Sequence, residues 1–225
     1  MRICALYSGG KDSCYALHWA VLHGFEVAGL VTLKPRSWDS MLLHYPAAEL
    51  VKLHSEALGI PLLYREVGGG DEYGEIVEAL REARERFRCS GLVTGALLSD
   101  YQRLRFSMAC LEAGMRIYSP LWRKNQEEYM RWLVRDGFRI LVVSVQAYGL
   151  PAWLAGSVLD EELVEEVIRL SRLYGFNPAF EGGEAETLVL DAPLFRSRLR
   201  VKGRRVRLAP YHTVYLIEDA WLEAK

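Results

Sequence analysis

Ser8-Gly9-Gly10-Lys11-Asp12-Ser13 is the stretch of this sequence that decides the fold. It follows an apolar run at residues 3–7 and precedes a segment whose apolar residues recur with helical spacing. A strand, a tight glycine turn and the start of a helix together point several backbone N–H groups at one anion. The two glycines let the backbone approach a phosphate closely, and Lys11 adds a positive charge. We therefore predict a phosphate-binding loop.

The order of residues distinguishes this loop from two common nucleotide-binding loops. A Walker A loop has glycines at both ends of a four-residue spacer, followed by Lys and then Ser or Thr. Here Ala5 occupies the first glycine position and Asp12 follows Lys11, and the G-x-G-x-x-G fingerprint is also absent. The loop instead resembles the PP-loop of ATP pyrophosphatases, which hold the β- and γ-phosphates of ATP while the α-phosphate is attacked. The simpler alternative is an ordinary glycine turn before a helix.

Length and composition describe a globular protein. The chain has 225 residues, of which 51% are hydrophobic and 25% are charged, and its net charge is −1. These values exclude a disordered chain and a protein that coats nucleic acid. The four cysteines show neither a C-x-x-C pair nor zinc-ligand spacing, which favours a reducing, cytoplasmic compartment. We expect no targeting leader, because no basic and then apolar segment opens the sequence. We also expect no membrane span, because glycine and proline interrupt the uncharged stretch at residues 140–159.

Strands and helices alternate through the first half of the chain. This alternation predicts an α/β fold with a doubly wound, parallel, five-stranded sheet. Its strands are predicted at residues 3–7, 25–33, 62–67, 91–96 and 117–119. After residue 124 the pattern changes to helices capped by Asn125 and Asp160 and to late strands with a turn at Gly203-Arg204. We therefore predict an ATP-binding domain at 1–124 and a second, smaller α+β domain at 125–225.

Ligands of such sheets bind beyond the carboxyl ends of the strands. Thr32 and Gly95 lie near the ends of the second and fourth predicted strands, so we assign them to the nucleotide site. His44, in the irregular segment after the second strand, is a candidate contact for nucleotide or substrate, although a lone loop histidine is more often simply exposed. A helix that begins after Ser99 places Arg103 and Arg105 at the same edge, where they either reach an anion or are merely solvated.

A second polar stretch lies at residues 181–187, with the sequence Glu-Gly-Gly-Glu-Ala-Glu-Thr. Three carboxylates around two glycines form a cluster of like charge that is costly to bury. Such a loop suits a cation, either the Mg²⁺ that accompanies ATP or a cationic substrate. The alternative is a solvated acidic turn.

Four motifs, taken together, resemble the diphthine–ammonia ligase family. They are SGGKDS from residue 8, LLSDYQRLR from residue 97, PLW from residue 120 and EGGEAETLVLDAPLF from residue 181. The first is common to PP-loop ATPases, whereas the second and fourth are particular to this family, and the similarity covers nearly the whole chain. The resemblance implies a HUP-type ATP-binding domain followed by a family-specific domain. It also implies the last step of diphthamide synthesis, which is amidation of the diphthine carboxylate on translation elongation factor 2.

The resemblance implies a role for each matched residue. The loop from Ser8 to Ser13 would hold the phosphates, with Asp12 positioning Mg²⁺, and the late carboxylates would attract the trimethylammonium group of diphthine. The catalytic residues are then Lys11, Asp12, Arg103, Glu184 and Glu186. The nucleotide-binding residues are Ser8, Gly9, Gly10, Lys11, Asp12, Ser13, Thr32 and Gly95. The substrate-binding residues, with His44, are Asp100, Tyr101, Gln102, Arg103, Arg105, Glu181, Gly182, Gly183, Glu184, Glu186 and Thr187.

The implied reaction uses ATP and Mg²⁺ to convert the carboxylate into an acyl-adenylate with release of pyrophosphate, and ammonia then displaces AMP. Because no glutaminase-like Cys/His segment is present, free ammonium is the expected nitrogen source. The expected protein partner is elongation factor 2 in its diphthine form. We expect neither a membrane nor a nucleic acid as partner, and the sequence leaves a homodimer open.

Two departures from the family pattern and two rival functions stand beside this prediction. Many members have Cys-Gly where this chain has Ala179-Phe180, and an aromatic residue where it has Ala185, so a nucleophilic cysteine at that place is excluded here. One rival is a tRNA-modifying PP-loop enzyme, for which the basic residues between 196 and 207 would form an RNA-docking face, or simply a solvated one. The other rival is a module that binds ATP without turnover.

Overall fold

A computed structural model describes residues 1–35, 47–67 and 71–225 of the chain. Contacts divide these residues into two compact units. Unit 1 contains the described residues within Met1–Ser8, Asp12–Ser40 and Leu58–Arg123. Unit 2 contains those within Gly9–Lys11, Met41–Ala57 and Lys124–Lys225. The middle of the glycine loop therefore belongs to unit 2, although the strand before it belongs to unit 1.

Unit 1 is built on a parallel five-stranded sheet, as predicted. Its strands are β1 (Arg2–Leu6), β2 (Glu26–Pro35), β3 (Leu62–Val67), β4 (Gly91–Val93) and β5 (Arg116–Tyr118). They are arranged in the order β3-β2-β1-β4-β5, and every neighbouring pair is parallel. The chain thus builds outward from β1 in one direction and then in the other, which creates a switch point between β1 and β4. In such sheets the ligand binds at this point, beyond the carboxyl ends of the strands.

Helices alternate with these strands, as predicted, and the fourth begins after Ser99. They are α1 (Lys11–Leu22), α2 (Ala47–Leu58), α3 (Glu72–Phe87) and α4 (Asp100–Glu112). Ser99 caps α4, because its Oγ accepts a hydrogen bond from the Gln102 amide at 3.3 Å. One face of α3, which carries Ile76, Leu80 and Phe87, packs into the core of unit 1.

Cys4 on β1 and Cys89, which follows α3, form a disulfide across 85 residues of sequence. The sequence-based expectation of reduced cysteines differs from this result. The spacing gives no sign of the pair, because only the packing of α3 against the sheet brings the two side chains together. The other two thiols, Cys14 and Cys110, are free and buried, and burial raises the pKa of each to about 12.

A thiol titration checks this arrangement. We expect two reactive thiols in the unfolded, unreduced protein and four after reduction, since two of the four cysteines are paired. In the folded protein neither free thiol should react, because the thiolate is the reactive form and burial disfavours it. A chromogenic thiol reagent, applied with and without denaturant, measures all three numbers. Four thiols before reduction would contradict the disulfide.

Unit 2 carries an antiparallel four-stranded sheet with helices. Its elements after residue 124 are α5 (Gln126–Arg135), β6 (Arg139–Val145), a 3-10 turn (Ala152–Leu154), α6 (Glu161–Tyr174), β7 (Ala185–Asp191), β8 (Ser197–Ala209) and β9 (His212–Ala224). The strand order is β7-β6-β9-β8. Asn125 and Asp160 cap α5 and α6 as predicted. The uncharged stretch at 140–159 becomes β6 and the 3-10 turn, and no helix within the described ranges is long and apolar enough to cross a membrane.

Two sequence predictions for unit 2 are wrong. The predicted turn at Gly203-Arg204 lies inside β8, and the chain reverses instead at residues 210–211. A Cβ at Gly203 would lie 2.3 Å from the Leu216 carbonyl oxygen, so this glycine permits the close approach of β9 at a bulge. The predicted loop at 181–187 is also shorter, because β7 begins at Ala185 and includes Glu186.

Candidate nucleotide and substrate site

The two ends of the glycine loop lie in unit 1. The Ser8 amide donates a hydrogen bond to Ser13 Oγ at 3.2 Å, and the two serine hydroxyls are 3.1 Å apart. Ser8 is exposed, whereas Ser13 is buried in the first turn of α1, so these contacts fasten the start of the loop to that helix. The amides at the start of a helix carry partial positive charge, which suits a phosphate.

Gly95 and Thr32 support the same loop from neighbouring strands. A Cβ at Gly95 would lie 2.5 Å from the carbonyl carbon of Asp12 and 2.7 Å from the amide nitrogen of Ser13, so the segment after β4 packs directly on the first turn of α1. Thr32 Oγ1 donates to the Tyr7 carbonyl oxygen at 2.6 Å and joins β2 to the chain that leaves β1. Both residues therefore shape the loop, and their contact with nucleotide stays a prediction.

The middle of the loop is hydrogen-bonded to β7 within unit 2. The Lys11 amide donates to Thr187 Oγ1 at 3.2 Å, and the Gly9 carbonyl oxygen accepts from the Val189 amide at 3.0 Å. Gly9 has φ +82°, a conformation that glycine adopts without steric cost. These bonds bring together two motifs that are 176 residues apart in sequence, the glycine loop and the strand that follows the Glu-Gly-Gly-Glu turn.

His54 lies beneath the glycine turn and was not predicted as a site residue. A Cβ at Gly9 would lie 3.2 Å from His54 Nδ1, and the ring packs edge-on against Phe195 at a centroid distance of 5.1 Å. His54 is buried, and burial lowers its pKa to about 4 against a smaller opposing effect of a hydrogen bond with the Val189 backbone. In the sequence, His54 only occupies one of the inward-facing positions expected for α2. Its role cannot be predicted, since the residues that it contacts are far away along the chain.

The lowered pKa of His54 predicts a loss of stability in mild acid. The unfolded chain takes up this proton near pH 6.5, whereas the folded protein takes it up only near a pKa of about 4. Between these values the unfolded state binds more protons, so the free energy of unfolding falls as the pH falls, by about 2 kcal/mol at pH 5. Urea unfolding of the His54→Gln variant should lack this part of the pH dependence, while His23→Gln, at an exposed histidine, should retain it. Equal slopes in the two variants would contradict the assignment.

Lys11 and Phe180 meet within unit 2. Lys11 is only 3% exposed, and its Nζ lies 5.8 Å from the centroid of the Phe180 ring, which attracts a cation. Phe180 has φ +64°, a left-handed conformation that costs a residue with a Cβ about 1–2 kcal/mol. Glycine would adopt this conformation without that cost.

The three carboxylates of the predicted acidic stretch have different surroundings. Glu184 accepts hydrogen bonds from the Asn177 amide at 2.9 Å and the Gly182 amide at 2.8 Å, so its carboxylate holds the turn in shape. Glu186 lies opposite Ser144 on β6, and burial raises its pKa while His212 lowers it. Among the described residues, no group of three His, Cys, Asp or Glu side chains is arranged to hold a metal ion.

The arginines of the LLSDYQRLR motif lie at the start of α4 in unit 1. Arg103 pairs with Asp100 at 3.2 Å and lies over the Trp122 ring at 4.6 Å, which links this motif to the PLW motif. Arg105 donates to the Tyr101 hydroxyl at 2.5 Å and pairs with a carboxylate of α3. Each guanidinium keeps a buried Nε that has no hydrogen-bond partner in the part of the chain that the structure describes. Two buried donors of this kind fit an anionic ligand such as a phosphate or a carboxylate.

Comparison with known proteins places the chain in a family. The family model of the diphthamide synthase N-terminal domain matches residues 1–117, and that of the C-terminal domain matches residues 125–222. The chain belongs to the diphthamide synthase family. The diphthine–ammonia ligase of Homo sapiens is 33% identical over 92% of this chain and 85% of its own length. That of Danio rerio is 32% identical over 88% and 86%, and that of Schizosaccharomyces pombe is 32% identical over 92% of this chain and 37% of its own length.

Membership of the diphthamide synthase family confirms the resemblance drawn from the four motifs, and with it the prediction of an enzyme of diphthamide biosynthesis. The individual site residues stay predictions. The structure brings Gly9 and Lys11 together with Thr187, and separately groups Ser8, Asp12 and Ser13 with Gly95. His44 lies outside the described residues.

Proposed function

We propose that this member of the diphthamide synthase family is a diphthine–ammonia ligase acting on translation elongation factor 2. One observation carries the proposal, the hydrogen bonds that join the Gly9–Lys11 turn to β7 beside Thr187. Within unit 2, the middle of the general ATP-binding motif is therefore hydrogen-bonded to the strand that carries the end of the family-specific motif. This supports a reaction that needs ATP and the modified protein side chain at the same place.

The proposed chemistry has two steps. A carboxylate oxygen of diphthine attacks the α-phosphorus of ATP and forms a bond to it. The bond between the α-phosphorus and the oxygen that bridges it to the β-phosphorus breaks, and pyrophosphate leaves. Ammonia then attacks the acyl carbon, AMP leaves, and the nitrogen loses a proton to give the amide. Activation is needed because oxide is a poor leaving group, whereas AMP leaves readily. The protein contributes alignment and charge stabilisation.

We assign roles to the residues on this basis. The loop amides, Ser8, Ser13 and Lys11 hold the phosphates, and Asp12 together with those phosphates positions Mg²⁺, an ion that proteins commonly bind through one or two carboxylates. Arg103 and Arg105 offer their buried Nε donors to an anion. Glu184 keeps the turn in shape. Glu186, whose pKa is raised by burial, takes the proton from the attacking nitrogen.

We extend the proposal to the setting of the enzyme. Residues 1–124 form the ATP-binding domain and residues 125–225 the substrate domain. The enzyme works in the cytoplasm with ATP and Mg²⁺, takes its nitrogen from free ammonium, and is either a monomer or a homodimer. The rival function, a tRNA-modifying enzyme, is weakened because three arginines of its predicted basic face on β8 are paired with carboxylates. Arg198, Arg200 and Arg204 pair with Asp191, Glu223 and Glu218.

An assay for AMP and pyrophosphate tests the proposed function. We expect both products in equal amounts when the protein is incubated with ATP, Mg²⁺, ammonium and diphthine-modified elongation factor 2. Omission of the elongation factor should abolish turnover, and replacement of it by tRNA should not restore the reaction. Turnover that requires tRNA would favour a tRNA-modifying enzyme, and ATP binding without either product would favour a non-catalytic module.

A further inference from the structure

Three large aromatic side chains meet at the surface of unit 2. Tyr148 follows β6, Tyr174 ends α6 and Tyr211 lies at the turn between β8 and β9. Their exposed fractions are 64%, 43% and 61%. Tyr148 contacts both others, at centroid distances of 5.4 Å and 5.5 Å and interplanar angles of 87° and 84°. Scattered exposed aromatics need no explanation, but three that converge from separate elements form a defined surface. We call these three rings the tyrosine corner, a name that refers here only to this surface and not to the β-sandwich motif of the same name.

The backbone around the tyrosine corner is fitted to the rings. A Cβ at Gly149 would lie 2.4 Å from Tyr174 Cγ, so the Tyr174 ring packs directly on the glycine backbone, which has φ +93°. The turn that carries Tyr211 is held by Arg207, whose Nη2 donates to the Pro210 carbonyl oxygen at 2.8 Å. Such support fixes the rings before any ligand arrives, and this reduces the entropy lost on binding.

Hydrogen bonds tie the tyrosine corner to the Glu-Gly-Gly-Glu turn. Gln146 lies two residues before Tyr148. Its side-chain Nε2 donates to the Gly183 carbonyl oxygen and its backbone N–H donates to the Glu184 carbonyl oxygen, each at 2.8 Å. On the other side, His212 follows Tyr211, and its Nε2 lies 3.4 Å from Ser144 Oγ. Ser144 on β6 is in turn the strand partner of Glu186 on β7. The aromatic surface and the acidic residues therefore lie on neighbouring loops and strands that are hydrogen-bonded to one another.

The chemistry of this surface favours one class of ligand. The two ring contacts are edge-to-face, and the ring faces that these contacts leave exposed carry negative potential. A quaternary ammonium ion cannot donate a hydrogen bond and is only weakly hydrated, so it is bound best by several ring faces with carboxylates nearby. A primary ammonium or a guanidinium would prefer direct hydrogen bonds.

We propose that Tyr148, Tyr174 and Tyr211 bind the trimethylammonium group of the modified substrate, an inference that rests on the proposed function. The tyrosine corner recognises the methylated nitrogen, while the glycine loop and β7 serve the carboxylate and ATP. Substrate selection and chemistry then depend on different residues. A substitution in the tyrosine corner should consequently change substrate affinity without changing the affinity for ATP.

Steady-state kinetics with diphthine-modified elongation factor 2 test this division. Tyr148→Ala and Tyr211→Ala should each raise the KM roughly 5- to 30-fold, with kcat and the Kd for ATP near the wild-type values. Tyr148→Phe keeps the ring face and should keep a wild-type KM. Trp221→Ala is the matched control, since Trp221 is an exposed aromatic near the other end of β9. A KM that is unchanged in both alanine variants would overturn the proposal.

A binding measurement separates this inference from the proposed function. In proton NMR, tetramethylammonium should show broadened and ring-shifted methyl signals with the wild-type protein and with Trp221→Ala, but not with Tyr148→Ala. The neutral compound tert-butanol should show no such effect. If the wild-type protein leaves the tetramethylammonium signals unchanged, the proposal that the tyrosine corner binds a quaternary ammonium group is wrong, even if the enzyme forms the amide. Binding of tetramethylammonium without any AMP release would instead support a quaternary-ammonium site and reject the proposed function.

Discussion

Lys11→Met should lower ATP-dependent pyrophosphate release by at least about 100-fold, because it removes the one side-chain cation of the glycine loop from the charge that develops on the phosphates. Lys11 is almost fully buried, and its amide is fixed to Thr187 on β7. Methionine has a similar length and no charge, so the packing against Phe180 is kept. The measurement is pyrophosphate release with diphthine-modified elongation factor 2 and ammonium.

A matched lysine on α2 provides the control. Lys52 is 60% exposed and pairs with Glu49 at 2.6 Å, so Lys52→Met removes the same charge from the surface of the protein. Its rate should stay within about twofold of the wild type, because exposed ion pairs contribute little. If Lys11→Met kept activity as Lys52→Met does, the glycine loop would not be the phosphate site.

Gly95→Ala should disable ATP binding although it adds only one methyl group. The new Cβ would lie 2.5 Å from the Asp12 carbonyl carbon and 2.7 Å from the Ser13 amide nitrogen. Both are backbone atoms, so the first turn of α1 has to move. A displacement of about 1 Å at a catalytic constellation typically costs on the order of 100-fold in rate, and the overpacking costs about 1–3 kcal/mol of stability.

Gly24→Ala separates the two effects of Gly95→Ala. Gly24 follows α1 with φ +79°, and a Cβ there would meet nothing within 4 Å. This variant should lose about 1–2 kcal/mol of stability through its backbone conformation and keep its affinity for ATP. Thermal unfolding and ATP titration of both variants give the comparison. A Gly95→Ala protein that binds ATP as Gly24→Ala does would show that the contact with α1 does not shape the nucleotide site.

Much of the fold could be predicted because its signals are local. An N-cap depends on residues three apart, so Ser99, Asn125 and Asp160 each mark a helix start that the structure confirms. The parallel sheet follows from apolar runs that alternate with helical patterns. Gly203 shows where this reasoning fails, since glycine marks both turns and close approaches of two strands. Only the pairing of β8 with β9 decides between these two meanings.

The motifs of the candidate site could be predicted from the sequence, whereas the distant residues that pack around them could not. The glycine loop and the Glu-Gly-Gly-Glu turn are visible in sequence because unusual residue types cluster there. His54, Phe180 and the Cys4–Cys89 pair are not visible, since their significance comes from contacts with residues far away in the chain. Glu184 was predicted as a catalytic residue, and no sequence pattern shows that its carboxylate accepts two backbone hydrogen bonds.

Amidation of the modified elongation factor is the most direct test of the central claim. Elongation factor 2 isolated from cells that lack this protein should carry diphthine. Incubation with the protein, ATP, Mg²⁺ and isotopically labelled ammonium should convert the carboxylate to a labelled amide, as mass spectrometry of the modified peptide would show, with AMP formed in equal amount. Elongation factor that already carries diphthamide in those cells, or that gains no labelled nitrogen on incubation, would contradict the account.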